Sequence, residues 1–513
     1  MIRRIICVNS IVTILLATVF CIYPSVRAGL DLQDRALQQP GTPKMAWRLF
    51  RNLTPRYAAW AKDRLGAGRA EGPGVDDIPG TEWPLFGSVF YLWASDNLQR
   101  AWEAGDHTGG SEPKVFAREA IVSASELVID PRHASWVKKH WGQDYLHREN
   151  VFYRMLVMAA LTTRAKLLQD NAHLDLLRDQ VETFVQELDA SESGLLEDYP
   201  GECYPGDVMA AVMCIKRADA VLGTDHSAFV ARAVRGFTGN KLTRHQLPPY
   251  AAIAKTGMPA SQSRGCATSY FCLTAPELWP GRARQWYELY DRLFWQERAT
   301  AVGFREFPKD IPQSDWMFDV DAGPVVAGYG VAANAFGVGA TRKIGRFDRA
   351  YPLAAEMIAS VVELPNGVLA LPRVLSDWND APLLGEAAIL WQLTVQPERG
   401  FTVKTGGEIP TYVRVVLISL FVVGIWRIWA AIGNLWQILR PSPGDPKRII
   451  LAPRFQSVAW SGLMLVVVGA LVVGYYAIGI AVLAIGTLLP ATKKKKPPTG
   501  AEDWPEKPGK SEE

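Results

Sequence analysis

The stretch that decides the fold is GLLEDYPGECYPGDVMAAVMCIKRADAVLGTD, residues 194–225, where an irregular acidic loop turns abruptly into a helix. After Asp207 the apolar residues recur at helical spacing, which predicts a helix with one buried face over 208–222. The loop holds two tyrosines, two prolines, Cys203 and four carboxylates, Glu197, Asp198, Glu202 and Asp207. A single acid in such a loop is often only a helix cap or a solvated charge. A polar loop held by a buried helix is also where folds present functional groups, so we expect the chemistry of the chain here.

Amphipathic helices follow one another from about Leu30 to Phe401, with clusters of Gly, Pro, Asp and Asn between them. No section of this range has the period-two alternation of strands. The clearest helices are predicted at residues 86–102, 148–168, 173–188, 208–222, 282–295, 328–344 and 351–362. About ten to twelve helices, joined by alternately short and long loops, predict an all-α fold built as a ring of helical hairpins, the (α/α)6 toroid. An α-solenoid would need a fixed repeat period, which this sequence lacks.

Both ends of the chain have the composition of membrane segments. Two arginines precede an apolar run that ends near residue 23, which predicts a secretory signal or an N-terminal anchor within residues 1–28. Near the other end, residues 415–436 are long enough to span a bilayer with Arg427 as the one internal charge, and residues 458–489 carry no charge. We therefore divide the chain into a signal or anchor (1–28), a helical domain (30–405), a transmembrane region (412–490) and a basic, polar tail (491–513).

The path of the last apolar segment stays open. A basic loop precedes it, Lys493 to Lys496 follow it, and the positive-inside rule puts both basic stretches in the cytoplasm. A short hairpin bent near Gly474 or Gly479 satisfies that rule. One tilted span, with the lysine tail outside, is the alternative.

Composition and charge argue against several classes of function. The formal net charge is only +3 over 513 residues, so no field extends over the body that would favour nucleic acid as a partner. No CxxC, HExxH or HxH pattern occurs, so we expect no dedicated zinc or redox site. An exported body permits disulfides among its cysteines without assigning a pairing, except that Cys266 and Cys272 would point to different faces of one helix.

Three further segments contain candidate functional residues. In residues 143–161, Glu149, Asn150 and Tyr153 stand at the entry to an apolar helix, as pocket residues or as ordinary helix-terminus and core residues. In residues 257–272, Arg264 precedes a run of small residues that starts a helix. In residues 314–336, three aspartates lead into a helix rich in Gly and Ala, and we expect Asp319 and Asp321 to be the functional ones.

These segments together resemble a known family. The order HRENVFY (147–153), GLLEDYPGECYPGDV (194–208) and DVDAGPVVAGYGVAANAF (319–336) is similar to the corresponding run of the linalool dehydratase/isomerase family. The resemblance covers about Phe86 to Ser360 and implies a bacterial, periplasmic (α/α)6 barrel that needs no cofactor. The family has a histidine on the helix after its Glu-Asn-x-x-Tyr motif and two cysteines in the loop before the next helix. Here that helix continues without a histidine, and the loop offers acids with only Cys203 nearby.

We therefore expect a membrane-anchored enzyme of the bacterial inner membrane, with its main domain on the periplasmic or extracellular side. It would act by cofactor-free acid/base chemistry, as a lyase, isomerase or hydrolase, on a small molecule or a glycan. The acid/base candidates are Glu202, Asp207 and Asp321; the substrate-binding candidates are Glu149, Asn150, Tyr153, Tyr204, Arg264 and Asp319. A glycoside hydrolase of the cell envelope is one alternative, because such enzymes need a carboxyl pair. A non-catalytic envelope scaffold is the other, and the oligomeric state is open.

Overall fold

Helices account for most of the chain in the computed structural model, which describes residues 2–68, 78–319, 322–378 and 380–439. The predicted, mostly helical class is thus confirmed. The described helices, in chain order, are α1 Ile2–Ala17, α2 Tyr23–Asp31, α3 Lys44–Ala67, α4 Ile78–Glu103, α5 Pro113–Phe116, α6 Arg118–Ile129, α7 Ser135–Trp141, α8 Val151–Leu168, α9 Leu174–Ala190, α10 Pro205–Leu222, α11 Ser227–Ala233, α12 Gly265–Leu278, α13 Pro280–Phe294, α14 Val331–Lys343, α15 Phe347–Val361, α16 Ala370–Trp378, α17 Leu384–Thr394 and α18 Thr411–Leu439.

Five short strands lie between α13 and α14, where the sequence predicts only a loop and the start of a helix. β1 (Trp295–Glu297) pairs with β2 (Val302–Phe304), and β3 (Trp316–Asp319), β4 (Gly323–Val326) and β5 (Tyr329–Gly330) form an antiparallel sheet. Asp319 ends β3 and is therefore part of a hairpin. Strands of two to four residues are too short to show a period-two pattern, so sequence periodicity does not detect them.

Six helices contact one another in a closed order. α4 packs on α8, α8 on α10, α10 on α12, α12 on α14, α14 on α17, and α17 on α4. Each contacts two neighbours, and most residues of α8, α10 and α12 are accordingly buried. By contrast, α9 buries mainly one stripe, Leu177, Val181, Phe184 and Leu188, as expected of a helix that covers a core from one side.

The connections between the helices differ in length in a regular way. Those that lead into α8, α10, α12 and α14 cover residues 130–150, 191–204, 234–264 and 295–330. Those that leave α8, α10 and α14 cover only residues 169–173, 223–226 and 344–346. The long connections therefore lie at the N-terminal ends of these helices. Loops on a rigid scaffold are where functional residues are most often found.

Aromatic rings join α4 to the other helices of the closed set. Phe86 contacts Phe152 of α8, with ring centroids 5.5 Å apart, and Phe90 contacts Phe336 of α14 at 5.9 Å. Further along, Trp93 meets Trp391 of α17 at 4.8 Å. Spacings of three and four residues put these α4 rings on one face of the helix, so the face packs along its length on apolar partners.

Two helical stretches are long and apolar enough to cross a membrane, Ile6–Asp31 and Thr411–Trp436. In the second, Ile418 is 62% and Trp429 is 74% exposed, whereas the core helix of a soluble protein would bury such side chains. Residues 14–430 form one compact unit, and residues 2–13 and 431–439 belong to a second unit. The predicted apolar segment at 458–489 and the tail at 491–513 lie outside the described residues.

Candidate active site

The loop before α10 is shaped by a tight turn. Tyr199, Pro200, Gly201 and Glu202 form it, and the Glu202 N–H donates to the Tyr199 carbonyl at 2.8 Å. Pro at the second position and a φ of 86° at Gly201 are the requirements of a type II turn. The Asp198 N–H also donates to the Glu202 carbonyl, at 2.9 Å. Glu202 in this turn is exposed, whereas Asp198 just before it is buried.

Asp198 has the most unusual environment of the acids in this loop. Its side chain is 1% exposed, and its Oδ2 accepts a hydrogen bond of 2.7 Å from the Tyr204 N–H, at the N-cap of α10. Oδ1 has no hydrogen bond to a described residue, although the Phe152 N–H at the start of α8 lies close enough to the carboxyl group to lower its pKa. Burial, and after it the charge of Asp207, raises the pKa of Asp198 well above its usual range. The surroundings of Asp198 therefore favour its protonated form.

Asp207 lies in the first turn of α10, where a helix N-terminus stabilises negative charge. From the sequence, Asp207 could have been only the cap of this helix. In the structure, Tyr204 occupies the N-cap position, so Asp207 is not the capping residue. Tyr270 of α12 lies against this turn, since a Cβ added at Gly206 would meet the Tyr270 ring at 3.5 Å. The Tyr270 hydroxyl is buried, and no described residue hydrogen-bonds to it. Burial, and after it the charge of Asp207, raises the Tyr270 pKa well above its usual range.

Tyr199 connects this loop to α4. Its hydroxyl donates a hydrogen bond to Oε1 of Glu82. Burial, followed by the charge of Glu82, raises the pKa of Tyr199, so the phenol keeps its proton. Its ring contacts His140 at 5.1 Å, and this contact holds the side chain on the wall of the site.

Cys203 is the thiol nearest to these acids. It is buried, and burial, followed by the charge of Asp198, raises its pKa, so it remains a neutral thiol. All six cysteines of the chain are free, so the disulfides that export would permit are absent among the described residues. Thiolate chemistry therefore finds no support at this position.

A second charged group lies at the start of α12. Nε of Arg264 pairs with Glu306 at 2.7 Å, and its Nη2 pairs with Asp319 at 3.1 Å. The guanidinium lies over the Tyr250 ring, 4.5 Å from its centroid, and Tyr250 in turn meets the Tyr204 ring edge-on at 5.3 Å. Three predicted residues, Tyr204, Arg264 and Asp319, are thus brought together, and Tyr250 links them.

Glu306 is the buried partner of Arg264. Its side chain is fully buried, and burial raises its pKa although the charge of Arg264 opposes the rise. The Cys266 thiol donates to Oε1 of Glu306 at 3.2 Å. The ion pair with the buried Glu306 holds the Arg264 side chain in one orientation at the N-terminus of α12.

The remaining predicted residues lie elsewhere on the loop and the helix start. Glu202 is exposed and accepts a hydrogen bond of 2.9 Å from the Tyr204 hydroxyl. Glu149 accepts from the Glu197 N–H at 2.5 Å, and burial raises its pKa. Asn150 is buried in the left-handed conformation and donates to the Tyr145 carbonyl at 3.0 Å.

Tyr153 is fully buried, and its hydroxyl donates to the Val128 carbonyl at 2.8 Å. This contact fastens α8 to α6. Asp321 lies outside the described residues.

Sequence reasoning missed Glu82, Tyr270 and Glu306. Glu82 had a usable signal, because it stands four residues before Phe86 and so shares the face of α4 that carries the aromatic rings. Tyr270 and Glu306 stand alone among apolar residues or in an irregular segment, and no spacing marks them.

No group of three or more His, Cys, Asp or Glu side chains in the described part of the chain is placed to hold a metal ion. Compared with known proteins, the chain matches no protein-family model and no curated protein.

Proposed function

We propose that the chain is a membrane-anchored acid/base enzyme whose active site lies between the loop before α10 and the N-terminal ends of α4, α10 and α12. One observation carries the proposal: two buried polar atoms that no described residue satisfies, Oδ1 of Asp198 and the Tyr270 hydroxyl, both lie near Asp207. Buried polar groups in native proteins almost always have hydrogen-bond partners. A bound substrate that carries an oxygen would supply the partner that both groups lack.

The proposed chemistry is the removal of water from an alcohol, or its reverse. Asp198 donates its proton to the hydroxyl oxygen, the C–O bond breaks, and the electron pair leaves with water. The carboxylate of Asp207 takes a proton from the neighbouring carbon, whose C–H electron pair becomes the new double bond. Return of that proton to Asp198 restores the starting state. A raised pKa suits the acid, because a carboxyl group must be protonated at the working pH to act so.

The substrate class follows from the walls of the site. The Tyr270 ring contacts Phe86 at 6.4 Å and Phe336 at 5.7 Å between ring centroids, and Phe86 contacts Phe152 at 5.5 Å. Apolar walls with few polar groups fit an apolar alcohol, such as an isoprenoid alcohol, better than a glycan, which needs many hydrogen-bond partners.

The closed order of six helices, with the long connections at their N-terminal ends, supports a finer proposal for the architecture, the (α/α)6 toroid. The resemblance to the linalool dehydratase/isomerase family predicts the same architecture. We propose membership of that wider family, with the acids of the loop in place of the cysteines of the family.

The two apolar helices support attachment to a membrane. We propose that the body lies outside the cytoplasm at the bacterial inner membrane, because Arg3 and Arg4 directly precede the apolar stretch Ile6–Asp31.

The test uses the full-length chain in lipid nanodiscs, incubated separately with isoprenoid alcohols and with envelope glycans, and mass spectrometry of the products. We expect turnover of an alcohol, with Asp198→Asn and Asp207→Asn each lowering the rate at least about 100-fold, the usual size of a general acid/base contribution. Glu192→Gln is the control, because Glu192 is an exposed acid of the same loop. Turnover unaffected by both Asp variants contradicts the proposed site. Turnover of glycans alone favours the glycoside hydrolase, and no turnover of either class favours the scaffold.

A further inference from the structure

A cavity of about 360 Å³ lies at the opposite ends of the same helices. Its lining comes from the C-terminal parts of α4, α10, α12, α14 and α17 and from the segments 41–42, 104–106 and 395–399. None of the acids proposed for catalysis lines it. A volume of this size lies within the range of small-molecule sites, about 300–1,000 Å³, and exceeds by far the roughly 30 Å³ of one water.

The inner wall of the cavity is apolar and aromatic. Trp93 and Trp391 line it, with ring centroids 4.8 Å apart and the ring planes inclined by 47°. Met213 and Leu273 complete this wall, and both tryptophans are almost fully buried. Where their edges reach the cavity, the two indole rings offer a flat or short apolar group a surface that requires no hydrogen bonds.

Two of the three carboxylates that line the cavity, Glu277 and Glu398, are paired with cations of the protein, and the third, Asp106, accepts hydrogen bonds from the Trp47 indole and from Thr108. Glu277 accepts two hydrogen bonds from Arg217, at 2.9 and 2.5 Å, and pairs with Lys343 at 2.7 Å. Burial opposes ionisation, but the charges of Arg217 and Lys343 hold the Glu277 pKa well below its usual range. Glu398 pairs with the same Lys343 at 2.8 Å. A ligand therefore meets Glu277 and Glu398 with their charge already compensated.

Arg399 is the cation that remains. It is exposed, lines the cavity, and no described residue pairs with its guanidinium. Arg100, half exposed on α4, lines the same cavity and pairs with Asp96 at 2.8 Å. The cavity thus combines an aromatic inner wall with Arg399 as a cation at its rim, and a guanidinium binds carboxylate and phosphate groups in a two-pronged manner.

We propose that this cavity is a second binding site, for a small organic anion whose carboxylate or phosphate group contacts Arg399 and whose aromatic or short apolar body lies on Trp93 and Trp391. The site is separate from the proposed active site and does not depend on it.

The test is isothermal titration of the full-length chain in nanodiscs with four probes: phenyl phosphate, phenylacetate, inorganic phosphate and benzyl alcohol. We expect at least one of the two aromatic anions to bind, and the comparison between them identifies the preferred head group. Inorganic phosphate lacks the apolar body and benzyl alcohol lacks the charge, so each should bind at least about tenfold more weakly.

Arg399→Gln should weaken binding of the aromatic anion by about tenfold, the size of one charge-assisted hydrogen bond. Arg118→Gln is the matched control, since Arg118 is exposed and does not line the cavity, and Asp198→Asn should also leave binding unchanged. Arg399 is exposed, so its variant should fold normally, whereas Trp93→Leu, which should also weaken binding, needs a check of folding. The proposal is overturned if neither aromatic anion binds, if benzyl alcohol binds as tightly, or if Arg399→Gln binds like the wild type.

Discussion

The hydroxyl of Tyr199 donates a hydrogen bond to Oε1 of Glu82, and this bond ties the loop before α10 to the first turns of α4. The two residues are 117 positions apart in the chain. The loop that carries Asp198 is therefore positioned by a residue on another helix, and the geometry of the proposed site depends on a contact that is distant in sequence.

Loss of this bond should loosen the loop. We expect Tyr199→Phe to lower the free energy of unfolding by about 1.5–3 kcal/mol, the range for a hydrogen bond to a charged group. Thermal unfolding of the chain in nanodiscs measures the change. Glu192→Gln, in the same loop, should have no effect, and a Tyr199→Phe variant as stable as the wild type would show that the bond does not hold the loop.

The proton on Asp198 should make stability fall as the pH rises. The folded-state pKa of this carboxyl is raised well above its ordinary value of 3.8, so the folded chain keeps a proton that the unfolded chain releases. This contribution is complete at low pH and is lost as the pH rises towards the folded-state pKa. The side chain of Asp198→Asn cannot ionise. Above about pH 4, its free energy of unfolding should therefore rise relative to that of the wild type, by up to roughly 1.4 kcal/mol per pH unit. Parallel pH curves for the two proteins would contradict the proton assignment.

Arg264 compensates the buried charge of Glu306. Replacement by an uncharged residue, Arg264→Met, leaves a fully buried carboxyl without its cation and should destabilise the chain by about 3–5 kcal/mol. Adding Glu306→Gln should recover part of that loss, because the amide carries no charge. The free energies of unfolding of the two single variants and the double variant measure the coupling. Additive losses would mean that the two side chains act independently.

Gly265, at the first position of α12, has no room for a side chain. A Cβ there would lie 2.2 Å from the Arg305 carbonyl oxygen and 2.9 Å from the Ala333 Cβ. We expect Gly265→Ala to cost about 1–3 kcal/mol, because the backbone of the neighbouring segment must move. Gly281→Ala is the matched control near the start of α13, with no atom within 4 Å, and should be neutral or stabilising by up to about 1 kcal/mol. Equal midpoints for both variants would rule out the predicted close packing.

The helices were predictable from the sequence, and their ends less so. The helix predicted over residues 208–222 begins at Pro205, because Pro at the first helical position is favourable and carries no periodic signal. The helix predicted from residue 328 begins at Val331, because β5 takes Tyr329 and Gly330 into a sheet. Periodicity reports which face is buried but does not identify a short strand that tertiary contacts impose.

For the candidate site, the sequence predicted the loop and the structure adds its partners. The composition of residues 194–207 marked the loop, and Asp198 was one of four acids with no reason to single it out. Asp198 precedes the turn at Pro200 and Gly201 and is fixed by a hydrogen bond from the Tyr204 N–H. The number of acids in the loop does not predict this environment. Glu82 and Tyr270 enter the site from other helices. Their contributions depend on contacts between distant parts of the chain.

One face of α4 serves both ends of the molecule. Glu82 meets the loop of the proposed active site, Phe86, Phe90 and Trp93 follow on the same face, and Asn97 lines the opposite cavity. Each residue inserted in this helix would rotate everything after it by about 100°. A single-residue insertion after Phe90 would therefore leave Glu82 and Phe86 in place, while it would turn Trp93 and Asn97 away from the cavity that they line.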